Sequence, residues 1–152
     1  MYWAILHAFT DKEDAIDNPQ IKRKPILAGT KLNMDPERTP DMVQLEEVRK
    51  QIIQQYRDHT AVGNYMDNHD RMRMLGLVNQ DISICQNALA FTFFTEGIPI
   101  IYYGTEQDFY KGGDPDSRQA MFNNFGTDAK MYDFVKTIVS LRKTFAVSLN
   151  LL

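Results

Sequence analysis

Along the middle of the chain, Met42, Leu45, Val48, Ile52 and Tyr56 recur at three- and four-residue intervals, while Glu46, Glu47, Arg49, Lys50 and Gln54 occupy the other side. That alternation between an apolar stripe and a charged face predicts an amphipathic helix from Asp41 onward. Near the start, Tyr2, Ile5, Leu6 and Phe9 repeat the same spacing over 1–9, with no capping residue before them. Between these helices the pattern dissolves: 10–40 is mostly polar, is interrupted by Pro19, Pro25, Pro36 and Pro40, and reads as an irregular connection anchored only at Ile26, Leu27 and Ala28. Thr60 to Met66 then reads as a strand, ending in the polar run Asp67, Asn68, His69, Asp70. Asp81 is a helix N-cap, and the apolar positions Ile82, Leu89, Phe93 and Phe94 continue to Gly97, which supplies a stop. Ile98 to Tyr103 is apolar at successive positions, as expected of a strand covered on both faces. After the loop signal Lys111, Gly112, Gly113, Asp114, Pro115, a last helix is predicted from about Thr127, burying Met131, Phe134, Val135, Ile138, Leu141 and Phe145.

A strand, a helix and a second strand in succession predict a right-handed βαβ unit with parallel strands, and ligands bind at the carboxyl ends of such strands. Two parallel strands do not make a stable sheet by themselves, and each would leave an unpaired edge. The pattern therefore points to part of a larger α/β structure.

Composition narrows this little. With 152 residues, 43% hydrophobic and 24% charged, the chain has core enough for one domain or part of one. Seventeen basic and twenty acidic residues give a net charge of −3 with no long block of one sign, so neither a nucleic-acid nor an anionic-membrane footprint is expected. Lys22, Arg23 and Lys24 read as a solvated triplet. Cys85 is the single cysteine, excluding an internal disulfide, and its apolar context predicts a buried, inert thiol. The apolar window from Ala88 to Gly104 is broken by Glu96, Gly97 and Pro99 before it could span a bilayer. Met1 to Leu6 lacks the basic start of a signal peptide, so the chain as given is expected to be soluble, with its compartment open.

The chemistry is concentrated in Asp67, Asn68, His69 and Asp70. Side chains alternate in an extended chain, so Asp67 and His69 are expected to share one direction, Asn68 and Asp70 the other. Carboxylates there can stabilise positive charge or orient hydroxyls, and an imidazole can donate to a polar ligand. Two other readings stand beside this one: a capped strand end, and a divalent-metal site built on His69 and Asp70. The metal reading lacks a second pair of ligands at suitable spacing. Met72 and Met74 read as packing residues rather than ligands.

The run Gly63-Asn64-Tyr65-Met66-Asp67-Asn68-His69-Asp70 resembles the strand-seven motif of the α-amylase family. Gly97-Ile98-Pro99-Ile100-Ile101-Tyr102-Tyr103-Gly104-Thr105-Glu106-Gln107 resembles its strand-eight motif, and Gly112-Gly113-Asp114-Pro115-Asp116-Ser117-Arg118 the substrate loop that follows. The resemblance implies an α/β fold that is an incomplete (β/α)8 TIM barrel, comprising its last strands and helices over 1–146, with 147–152 as a tail. It implies retaining hydrolysis of α-1,4-glucosidic bonds in starch-like glucans. By the same resemblance Asp70 is the third catalytic carboxylate, a transition-state stabiliser, His69 donates to sugar hydroxyls, and Asp114 and Arg118 hold a glucose unit. An Asp-Pro turn closed by an Arg ion pair remains the other reading of that loop, and Glu106 is as readily a structural hydrogen-bonding group as a substrate contact.

Retaining hydrolysis needs a nucleophile and a general acid about 5–5.5 Å apart. The motifs that supply them in the family, and its usual calcium ligands, have no counterpart here, so no cofactor or metal is expected in this chain and the chain alone is expected to be inactive. The expected partner is an α-glucan, with no nucleic acid and no membrane, and secretion is an expectation for the full-length protein only. The alternatives are a non-catalytic sugar- or partner-binding relative and, within the enzymes, an α-glucosidase or glucanotransferase.

Overall fold

The computed structural model describes residues 42–145, except Asn123 and the side chain of Gln44. The predicted helix over 1–9, the connection over 10–40 and the tail over 147–152 lie outside the described residues. Within them the order is α1 (Met42–Gln55), a 3₁₀ turn (His59–Ala61), β1 (Gly63–Tyr65), α2 (Met74–Leu77) and α3 (Ile82–Phe94). There follow β2 (Ile98–Ile100), 3₁₀ turns at Thr105–Gln107 and Asp116–Arg118, and α4 (Lys130–Phe145).

β1 and β2 are parallel, with Gly63 opposite Ile98, Asn64 opposite Pro99 and Tyr65 opposite Ile100. α3 is the crossover between them, as the βαβ pattern predicts. Its buried residues, Cys85, Ala88, Leu89, Thr92 and Phe93, follow a helical stripe that packs on α4. The Thr92 hydroxyl, buried in that stripe, donates to the Ala88 carbonyl at 2.9 Å, so no polar group is left orphaned there. Asp81 accepts from Ser83 N at 2.9 Å and Ser83 Oγ at 2.6 Å, which closes the start of α3 and holds the Asp81 carboxyl below its ordinary range. At the other end Arg142 of α4 donates to the carbonyls of Phe93 and Gly97, placing a cation where the helix presents its unpaired acceptors.

Gly97 is needed where it stands. Its φ of +111° turns the chain from α3 into β2, and a Cβ there would lie 2.5 Å from the Val62 carbonyl oxygen and 2.7 Å from Asn64 Nδ2. Asn64, buried in β1, uses that nitrogen to donate to the Glu96 carbonyl at 2.7 Å, fixing the register of the two strands. The core gathers Leu45 of α1, Met66, Met74, Leu75 and Leu77 after β1, Cys85, Leu89 and Phe93 of α3, and Met131 and Ile138 of α4. Met74 is fully buried among these, and Cys85 belongs to the same core, its thiol pushed well above the ordinary value by burial.

Four expectations change. The strand predicted over Thr60 to Met66 begins only at Gly63, because Asp58 accepts from Thr60 N at 3.1 Å and Thr60 Oγ1 at 2.6 Å and winds 59–61 into a 3₁₀ turn. The strand predicted over Ile98 to Tyr103 ends at Ile100, and it is not covered on both faces: Ile98 is 53% and Ile100 47% exposed. Among the described residues the sheet has two strands, so β2 has no strand neighbour on its outer edge. The last helix starts at Lys130 rather than Thr127, since Asp108 accepts from the Lys130 and Met131 amides at 2.9 Å each and caps it there. The ends of two predicted stripes, Met42 and Tyr56 of α1's face and Leu141 and Phe145 of α4, stay substantially exposed.

Candidate active site

The polar run after β1 leaves the strand conformation at once. Asp67 turns inward and is 4% exposed, its Oδ1 accepting from Met74 N at 2.7 Å and its Oδ2 from Thr105 Oγ1 at 3.0 Å. Asn68 Oδ1 accepts from the Asp70 amide at 2.9 Å, an Asx turn that ends the extended chain. The expected alternation therefore fails: Asp67 and His69 do not share a direction, whereas the exposed His69 and Asp70 face each other, Nε2 to Oδ1, at 3.2 Å.

The second loop closes on this edge through Arg118. Its Nη2 lies 3.4 Å from Asp114 Oδ1 and 3.9 Å from Asp70 Oδ1, and its Nε donates to the His69 carbonyl at 3.3 Å. The structure thus brings all four residues singled out in the sequence, His69, Asp70, Asp114 and Arg118, to the carboxyl end of β1. The Asp114–Arg118 ion pair is also what the turn-closing reading of that loop expects. All four side chains are about half exposed or more, so these pairs contribute little to stability and can exchange for a ligand at small cost. Two carboxylates, an imidazole and a guanidinium on one open edge can accept from and donate to neighbouring hydroxyls of a polar ligand. A groove of about 450 Å³ lined by Gly76, Gln80, Tyr110, Lys111 and Asp116 runs beside the same loop. Among the described residues no three His, Cys, Asp or Glu side chains gather as a metal site, and no helix is long and apolar enough to cross a membrane.

Beneath the edge sits a residue that sequence reasoning missed. Arg73 is almost wholly buried: its guanidinium carbon stands 4.2 Å from the centre of the Tyr102 ring and 5.2 Å from that of Tyr103, and Nη1 is 3.9 Å from Asp67 Oδ2. Burial pushes the Asp67 carboxyl above its ordinary value and the Arg73 guanidinium below its own, each offset in part by the other's charge. Glu106 adds to the negative field on Arg73. The available signal was a lone arginine between Met72 and Met74, followed later by paired tyrosines.

Residues 20–137 match the model of the α-amylase catalytic domain. The chain belongs to the α-amylase catalytic-domain family. It is 39% identical over 103 residues to α-amylase 1 of Schizosaccharomyces pombe, covering 65% of this chain and 16% of that protein. Against the cyclomaltodextrin glucanotransferase of Paenibacillus macerans the identity is 34% over 108 residues, 71% of this chain and 15% of the other. The solved α-amylase of Malbranchea cinnamomea superposes with a TM-score of 0.72 at 25% identity, covering 96% of this chain and 26% of that structure. The chain thus spans about a sixth of its curated relatives and a quarter of the solved one. It is a partial α/β piece of the α-amylase barrel, and its relatives include α-amylases, which are glycoside hydrolases.

Proposed function

We propose that this chain forms the closing part of the catalytic barrel of a retaining hydrolase of α-1,4-glucosidic bonds, with β1 and β2 as the seventh and eighth barrel strands. The observation that carries the reading is the gathering of His69, Asp70 and Asp114 around the Arg118 guanidinium at a strand's carboxyl end. Asp70 accepts from hydroxyls of the sugar undergoing cleavage and, as a carboxylate, favours the positive charge that develops on its ring. His69 donates to the same sugar, while Asp114 and Arg118 exchange their mutual ion pair for the hydroxyls of a neighbouring glucose. The nucleophile and the acid belong to other parts of the barrel, so this chain supplies binding and charge stabilisation rather than bond cleavage.

In the protein that carries this chain, Asp70→Asn is expected to lower kcat on maltoheptaose by about 100-fold or more, while the isolated 152-residue chain turns over none. Wild-type rates in the Asn variant would remove Asp70 from the catalytic set. A glucanotransferase is the second reading, favoured by the 34% identity with the cyclomaltodextrin enzyme. Chromatography of the products separates the two, since hydrolysis yields linear oligosaccharides and the transferase cyclic ones.

A further inference from the structure

We propose that Arg73 and Ser117 are positioning residues that lock the His69–Asp70 edge to the loop carrying Asp114 and Arg118; the role assigned to that edge rests on the glucan reading above. Both are buried, Ser117 completely. Arg73 Nε donates to the Ser117 carbonyl at 3.0 Å, and Ser117 Oγ donates in turn to the His69 carbonyl at 3.0 Å. A backbone bond from Arg73 N to the Lys111 carbonyl, at 3.4 Å, ties the start of the same loop. A relay therefore runs from the core, through one guanidinium and one hydroxyl, to the backbone that bears the two exposed side chains.

The chemistry of Arg73 argues that this relay, rather than stability, is its use. A buried ion pair is a poor stabiliser compared with well-packed apolar residues. Here the pair is long, and Nη1 and Nη2 have no hydrogen-bond acceptor among the described residues. An apolar side chain would fill the space against Tyr102, Tyr103 and Phe109 without that desolvation. What it could not supply is a donor aimed at Ser117. Among the described residues the exposed side chains of His69 and Asp70 pair with each other and, through Asp70, with Arg118, while the His69 carbonyl accepts from Arg118, so the placing of that carbonyl helps decide where they stand.

The test uses the whole 152-residue chain with Ser117→Ala and Arg73→Lys, the latter keeping the charge but not the Nε donor. Backbone amide NMR follows His69 and Asp70, thermal unfolding follows the fold, and maltoheptaose titration follows binding. Both variants are expected to shift and broaden the His69 and Asp70 amides with the rest of the spectrum retained. Each should weaken maltoheptaose about fivefold, the effect of one lost hydrogen bond. Wild-type amide positions in both folded variants would overturn the proposal. So would a lowered melting temperature with unchanged affinity, or loss of the fold in both, since either makes the pair merely structural. If the wild-type chain alone binds no maltoheptaose, the glucan reading is judged in the protein that carries this chain, and the amide signals still decide whether the relay positions the edge.

Discussion

Asp67 shows how one carboxylate can belong to a functional motif and yet serve the fold. It binds the Met74 amide and the Thr105 hydroxyl and sits opposite the buried Arg73. Asp67→Ala would leave that guanidinium without its counter-charge, at a cost of about 3–5 kcal/mol in urea unfolding. The pH dependence follows from the direction of its shift. Because burial raises the folded carboxyl above its unfolded value, the folded state holds the proton more tightly. The stabilisation from that proton is fully present below the unfolded value, about pH 4, and is lost as pH rises through the folded one. Subtracting the Asp67→Asn unfolding free energy from that of wild type across a pH series should give a difference that falls with rising pH over this range. His69, Asp70, Asp114 and Arg118 were legible because they sit in short contiguous motifs. Arg73 and Ser117 were not, because their partners lie 44 and 48 residues away and no local pattern announces such a bond.

Elements were legible where their ends are set locally. Asp81 and Ser83 cap α3 within three residues, so its start could be read directly. The start of α4 could not, since its cap is Asp108, 22 residues back in sequence from Lys130 and held there by a turn of its own. β1 was over-extended because a side-chain bond from Thr60 to Asp58 outcompeted the β-propensity of 60–62. Within α3, period alone does not say which apolar residues matter most. Leu89 is buried in the core cluster, and Leu89→Ala should cost about 2–5 kcal/mol by urea denaturation. Phe94, on the same helix but partly exposed, should tolerate Ala at well below that cost.

The whole described unit is built on a βαβ crossover whose second strand leaves Ile98 and Ile100 exposed. The parallel order and crossover were legible in the sequence, because a helix-period segment lay between two strand-period ones. The exposure of β2 was not, because apolar strand residues read the same whether a neighbouring layer covers them or not. With Ile98 and Ile100 open beside an edge that has no partner among the described residues, the 152-residue chain is expected to self-associate. Sedimentation velocity should show mass rising with concentration, and Ile98→Lys should reverse it. A monomer at all concentrations would contradict this.

Cys85 gives the molecule a clock of its own. The chain has no second thiol to compete, and this one is sealed in the core with its proton held tightly. An alkylating reagent reaches the sulfur only in the moments when the helix layer parts. The pace at which a single adduct accumulates under native conditions therefore counts those openings, with no label added and no residue replaced.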